Sequence, residues 1–180
     1  MARLTQVADS NANPETAALF AAIRKKIGMV PNLYRVAGNQ PAALAGLLGL
    51  GEALAGGSFD ARTREAIALA VAGVNACDYC ASAHAAISSG LKVPPETIDD
   101  HLAGRSNDPR TAAILTLATQ IVERRGMVSD DDIARARQNG LTEADIVETV
   151  ANVVANIFTN YLNHIADTDI DFPARRARAA

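Results

Sequence analysis

The sequence predicts an all-α protein, and three observations carry that prediction. Apolar residues recur at three- and four-residue spacing along most of the chain, the signature of helices with one buried face. The composition is 49% hydrophobic but only 4% aromatic, with no Trp and abundant Ala, which favours helices packed closely on helices. Few stretches show the Val/Ile/Thr/Tyr alternation of a sheet. At 180 residues the chain suffices for one well-buried core and is short for two.

Eight helical segments can be read in order. Asn13 caps the first, with Pro14 at the first helical position; Leu19, Phe20, Ile23 and Ile27 line one face and Gly28 stops it. Met29-Val30-Pro31-Asn32 reads as a linker, because a residue before proline is pushed out of the α region. The second helix runs from about Pro41 to Ala55, ended by Gly56-Gly57. Its Gly46, Gly49 and Gly51 each cost about 1 kcal/mol against Ala, so close approach of another helix is expected there. Asp60 caps a third, Ala61 to about Val74, and a fourth begins near Cys77 and ends at Gly90. A short fifth follows Pro94-Pro95 and stops near Gly104. Asp108-Pro109 opens a sixth that ends at Gly126, and Ser129 caps a seventh from Asp130 to Gln138. Thr142, with Asp145 at the capping-box position, opens the last. Its apolar residues run from Ile146 to Ile165 and cover more than one face, so the chain is expected to associate with other copies. Segments 60–90 and 109–139 share a helix–turn–helix outline. No linker or low-complexity segment appears, so residues 1–180 read as a single helical domain, with its core motif at 60–90, its C-terminal helix at 142–166 and a flexible tail at 174–180.

Charge and composition exclude several classes. Net charge is −3 with both signs interspersed, which argues against nucleic acid as partner, because neutralising phosphates needs a basic face. The one basic cluster, Arg175-Arg176-Ala177-Arg178, reads as a solvated, frayed end. The N-terminus lacks the apolar run of a signal peptide, and no stretch approaches the ~18 apolar residues of a membrane span. A cytoplasmic, non-membrane setting is therefore expected, where a C-x-x-C is catalytic or metal-binding rather than a structural disulfide.

Both cysteines of the chain lie in one such motif, Cys77-Asp78-Tyr79-Cys80, with His84 four residues on. A helix advances about 100° per residue, so Cys77, Cys80 and His84 project within a sector of roughly 60°. An imidazole one turn from Cys80 can accept or return the thiol proton, and the positive end of the helix dipole favours thiolate at a first-turn cysteine. A thiolate that attacks a peroxide becomes a sulfenic acid, and a partner thiol three residues away can capture it as a disulfide that a later reductant reopens. On one unbroken helix Glu65 would lie about 18 Å from Cys77. Gly73 and Asn75 mark a break between Val74 and Asp78 that would let Glu65 fold back towards His84 and orient it. The dipole argument favours Cys77 as the attacking thiol, and proton-transfer geometry favours Cys80.

Glu65, eleven residues, Cys77-x-Tyr79-Cys80, three residues and His84 resemble the core motif of the alkylhydroperoxidase D and carboxymuconolactone decarboxylase superfamily. Val30 to Arg35 and Thr159 to Pro173 resemble its peroxidase-related branch, so the likeness runs from about residue 30 to 173. It implies an all-helical fold, a homo-oligomer (trimer or hexamer), and cofactor-free, antioxidant reduction of organic hydroperoxides. In the family the cysteine matching Cys80 attacks peroxide and the one matching Cys77 resolves; His84 and Glu65 would form the proton relay. A thiol or dithiol of lipoyl or thioredoxin type would be the reductant. One departure is Tyr79, where the best-studied members carry histidine; a phenol donates a hydrogen bond but is a poor base, so Tyr79 is at most an auxiliary donor. The decarboxylase branch lacks the cysteine pair, and its activity is not carried over.

Plainer alternatives stand beside these. The cysteines could be small buried packing residues; zinc would want four ligands, with only His84, His101, His164 and carboxylates to add. Glu65 could pair with Arg62 or Arg64. His164 reads as a hydrogen-bonded structural residue near an interface, His101 as surface, and Tyr79 as either substrate-facing or packing. The leading reading is a peroxiredoxin-type thiol peroxidase in which Cys80 attacks, Cys77 resolves, His84 moves the proton and Glu65 orients it, with no cofactor or metal. The alternative is a dithiol–disulfide carrier serving a partner protein, and a third is an interaction protein with a vestigial pair.

Overall fold

The computed structural model describes residues 2–177, and among these there are nine α-helices and no strand, so the all-α expectation holds. The helices are α1 (Pro14–Ile27), α2 (Asn32–Ala37), α3 (Pro41–Ala55), α4 (Ala61–Val74), α5 (Asp78–Gly90), α6 (Pro95–Leu102), α7 (Pro109–Glu123), α8 (Asp130–Gln138) and α9 (Glu143–Ala166). Their starts follow local chemistry. Asn13, Asp60 and Asp108 each accept the backbone N–H of the third helical residue at 2.8 Å. Ser129 and Thr142 close reciprocal capping boxes with Asp132 and Asp145. Gly28 ends α1 at φ 84°, a left-handed conformation that glycine adopts without strain.

α4 is the central element. Ala66 to Gly73 are buried without interruption, and α5, α6, α7 and α9 all pack on it. Small side chains on α4 let those neighbours approach closely, while Ile67, Val71, Ile114, Leu115, Leu117 and Val153 fill the space between α4, α7 and α9. α1 to α3 form an outer layer around Phe20, Ile23, Val30 and Leu44. Glu148 on α9 fastens the turn that launches α4, accepting from Ser58 N at 2.9 Å and Phe59 N at 3.0 Å.

Four readings are corrected. Met29 to Pro31 form the expected link, but Asn32 then opens a short helix, α2, rather than continuing it. The glycines of α3 are not seats for another helix: a Cβ at Gly46, Gly49 or Gly51 would meet nothing within 4 Å, because only Leu44 of this helix is buried. His101 is buried rather than on the surface, and desolvation holds its pKa below the ordinary value. The C-terminal segment is anchored as far as it is described. Arg175 N donates to Ser82 Oγ and Ala177 N to Asp78 Oδ1, both at 2.8 Å, and Arg175 pairs with Asp99. Ala177 is 4% exposed and packs in the cluster that holds Cys77. The cause is a set of acceptors on α5 and α6 for a backbone that local sequence makes look frayed. Residues 178–180 of the expected tail lie outside the described residues. His164 is exposed on α9.

Candidate active site

The chain reverses between α4 and α5 within three residues. Asn75 caps the end of α4, Ala76 takes φ 54°, and Cys77 becomes the N-cap of α5. A non-glycine residue in the left-handed region costs roughly 1–2 kcal/mol, so the turn is held by what surrounds it. Asn75 Nδ2 donates to Asn160 Oδ1 at 3.0 Å, and Cys77 N donates to Ala72 O at 3.0 Å. The reversal brings Glu65 back as expected: its Oε2 lies 2.8 Å from His84 Nδ1. Burial pushes the imidazole pKa down, but the Glu65 charge and hydrogen bond outweigh it, and His84 titrates above its ordinary value.

The cysteines carry free thiols, 1% and 2% exposed for Cys77 and Cys80. Cys77 Sγ caps α5 by accepting the Cys80 backbone N–H at 3.3 Å. The pair divides its properties. A hydrogen bond from Cys80 lowers the Cys77 pKa, helped by that backbone N–H and the His84 charge. The same bond, together with burial, raises that of Cys80. Cys77 is therefore the more acidic of the two thiols. Access runs the other way: a cavity of about 480 Å³ is lined by Cys80 and His84 but not by Cys77, which is buried in the apolar cluster that also holds Ala72 and Ala177.

That cavity is walled by apolar side chains, among them Ile23, Leu33, Leu47 and Phe172, and Lys26 and Glu52 also line it. Tyr34, which the sequence reading gave no role, also lines it, and burial with the nearby Glu65 charge keeps its phenol protonated. Tyr79 borders the cavity too, but its hydroxyl is committed. It donates to Asp171 Oδ1 at 2.8 Å and accepts from Leu33 N at 3.1 Å, while Asp171 Oδ2 accepts from Asn32 N at 2.8 Å. Tyr79 thus ties the start of α2 and the C-terminal segment to the cysteine helix, and Phe172 packs edge-on to its ring at 5.8 Å.

Two further residues at the cysteines were missed. Asn163 Nδ2 donates to Cys80 Sγ at 3.3 Å, and Asn160, one turn earlier on α9, is wholly buried beside it. The available signal was two amides set three residues apart within a long apolar helix, where burial without a purpose is costly. Among the described residues no group of three or more His, Cys, Asp or Glu is arranged to hold a metal ion.

Comparison with known proteins extends this geometry. Residues 41–107, which include Glu65, Cys77, Cys80 and His84, match the carboxymuconolactone decarboxylase family. The fold resembles the alkylhydroperoxidase AhpD core of an uncharacterized peroxidase-related protein from Ralstonia eutropha JMP134, at 21% identity, TM-score 0.83, and coverage of 94% of this chain and 92% of that one. A peroxidase-related protein from Silicibacter sp. TM1040 shares it at 22% identity and TM-score 0.80, covering 93% and 89%. The debrominase Bmp8, solved with 2,3,4-tribromopyrrole, shares it at 18% identity and TM-score 0.79, covering 94% and 91%. No curated relative matches the sequence. Residues 41–107 thus match the carboxymuconolactone decarboxylase family, and the chain shares the helical fold of alkylhydroperoxidase D-like, peroxidase-related proteins.

Proposed function

We propose that the chain is a thiol-dependent peroxidase that reduces organic hydroperoxides through Cys80 and Cys77. The observation that carries this reading is the apolar cavity with Cys80 and His84 on one wall and Glu65 behind the imidazole at 2.8 Å. The Cys80 thiolate attacks the outer peroxide oxygen; the S–O bond forms, the O–O bond breaks, and the alcohol leaves with a proton carried by His84 and returned under the influence of Glu65. Cys77 then attacks the sulfenic acid, water leaves, and a disulfide remains for a lipoyl- or thioredoxin-type thiol to reduce. The carrier reading is less well supported, because both sulfurs are buried, at 1% and 2% exposure, and a partner protein would have to reach them.

The protein works as a homo-oligomer in a reducing compartment such as the cytoplasm. α9 presents Val147, Val150, Val154, Phe158, Tyr161 and Ile165 to solvent at three- and four-residue spacing, an apolar stripe that a second copy would bury. No helix among the described residues is long and apolar enough to cross a membrane. Stopped-flow mixing of reduced protein with an organic hydroperoxide tests the function. One disulfide per chain should form as one hydroperoxide is consumed. Protein that leaves hydroperoxide untouched but releases bromide from 2,3,4-tribromopyrrole would replace peroxidase with reductive debromination.

A further inference from the structure

With Cys77 the more acidic thiol and Cys80 the accessible one, the relay does not answer what makes the accessible sulfur the reactive one. Two side chains of α9 address that sulfur. Asn163, 4% exposed, donates from Nδ2 to Cys80 Sγ at 3.3 Å. Asn160 is 0% exposed, and its Nδ2 has no hydrogen-bond partner. The orientation of Asn160 is fixed, because Asn75 Nδ2 donates to its Oδ1 at 3.0 Å and so turns the amide nitrogen away from Asn75. Asn75 belongs to the same reversal that positions Cys77, so one turn sets both a sulfur and a donor. A buried, oriented N–H with nothing to bond forfeits its hydration without return; a nearby anion would offset that cost.

We propose that Asn160 and Asn163 form an anion cradle for Cys80, stabilising its thiolate and the developing sulfenate, and thereby make Cys80 rather than Cys77 the attacking thiol. When the pair loses one proton, Cys77 gives it up first, leaving Cys80 as the thiol that hydrogen-bonds to it. The proton moves along the hydrogen bond between them, giving Cys77 thiol and Cys80 thiolate with no change in total charge. Two amide donors then face the negative sulfur, as preorganised donors face developing charge in an oxyanion hole. Both asparagines lower the Cys80 pKa, opposing burial and the Cys77 charge. The direction of attack described above rests on the peroxidase reading; the cradle itself is a property of the thiol.

The test therefore reads the thiol. In Cys77→Ser protein, the pH dependence of Cys80 alkylation by iodoacetamide gives a reactivity midpoint. Asn163→Ala and Asn160→Ala should each move that midpoint upward, slowing alkylation at neutral pH by about tenfold, and Asn163→Gln should recover part of the loss. Asn160→Asp and Asn163→Asp, which keep the volume and replace a donor by a carboxylate, should move it further and serve if an alanine variant does not fold. Folded variants with lower thermal stability and an unmoved midpoint would reduce both residues to packing and overturn the proposal. Midpoints that move as expected in a protein inert to hydroperoxide would uphold the cradle and sink the peroxidase reading instead.

Discussion

Two helix hairpins of this chain share an outline and differ in use. α4 turns into α5 through Asn75-Ala76-Cys77, and α7 turns into α8 through Arg124 to Ser129. Both turns hold a non-glycine residue at positive φ, Ala76 at 54° and Arg125 at 55°. Both second helices are capped by a side chain that accepts the N–H of the third helical residue, at 3.3 Å from Cys80 and 3.2 Å from Asp132. In α8 the capping pair is Ser129 and Asp132, a reciprocal box further tied to Arg124 and Arg135. In α5 the same two positions hold Cys77 and Cys80. A sulfur is a weak acceptor and a thiol cannot return the bond as a carboxylate does. This hairpin carries a cysteine pair where the other carries a strong cap, and anchors its helix by other contacts, from Asp78 to Ala177 N and from Tyr79 to Asp171.

The contrast can be broken at either hairpin. The largest effect belongs to the relay: His84→Ala should slow hydroperoxide-driven disulfide formation by about 10²-fold, read by stopped flow, whereas Ser129→Ala should leave that rate unchanged. Ser129→Ala should instead cost about 1 kcal/mol in urea unfolding. Cys77→Ser, which installs a hydroxyl cap, should not destabilise the reduced protein although it abolishes the disulfide; a loss of several kcal/mol would show that the thiol contributes more than a cap. The Glu65–His84 pair sets a pH window. Because the folded His84 pKa lies above 6.5, its contribution to stability is complete below that pH and is lost as pH rises through the folded value. Glu65→Gln should lower the imidazole midpoint in an NMR titration and erase that dependence. The smallest effect is at the turn: Ala76→Gly relieves the positive φ but loosens the unfolded chain, for a net gain of about 0.5 kcal/mol.

What the sequence made legible was mostly local. Caps at Asn13, Asp60, Ser129 and Thr142 sit at helix starts because an oxygen and an N–H a few residues apart decide them. The break before Cys77 was readable from poor helix formers at Gly73 and Asn75, and the return of Glu65 followed from it. What escaped notice depends on partners far along the chain. Asn163 reaches Cys80 across 83 residues and Tyr79 reaches Asp171 across 92, separations that no periodicity encodes. The anchored Arg175 and Ala177 failed for the same reason, since a basic, proline-preceded segment looks frayed until Ser82, Asp78 and Asp99 are placed beneath it. Gly46, Gly49 and Gly51 misled in the other direction, since glycine in a helix signals close packing only where a neighbour exists.

The central claim is that the sulfur facing the cavity, not the sulfur that caps the helix, meets the peroxide. Dimedone trapping in the two single-cysteine proteins, Cys77→Ser and Cys80→Ser, tests it most directly after mixing with one equivalent of an organic hydroperoxide. Cys77→Ser should consume that equivalent and carry the label on Cys80, while Cys80→Ser should consume almost none. Labelling of Cys77 in the Cys80→Ser protein at near wild-type speed would contradict the account and assign the attack to the capping thiol.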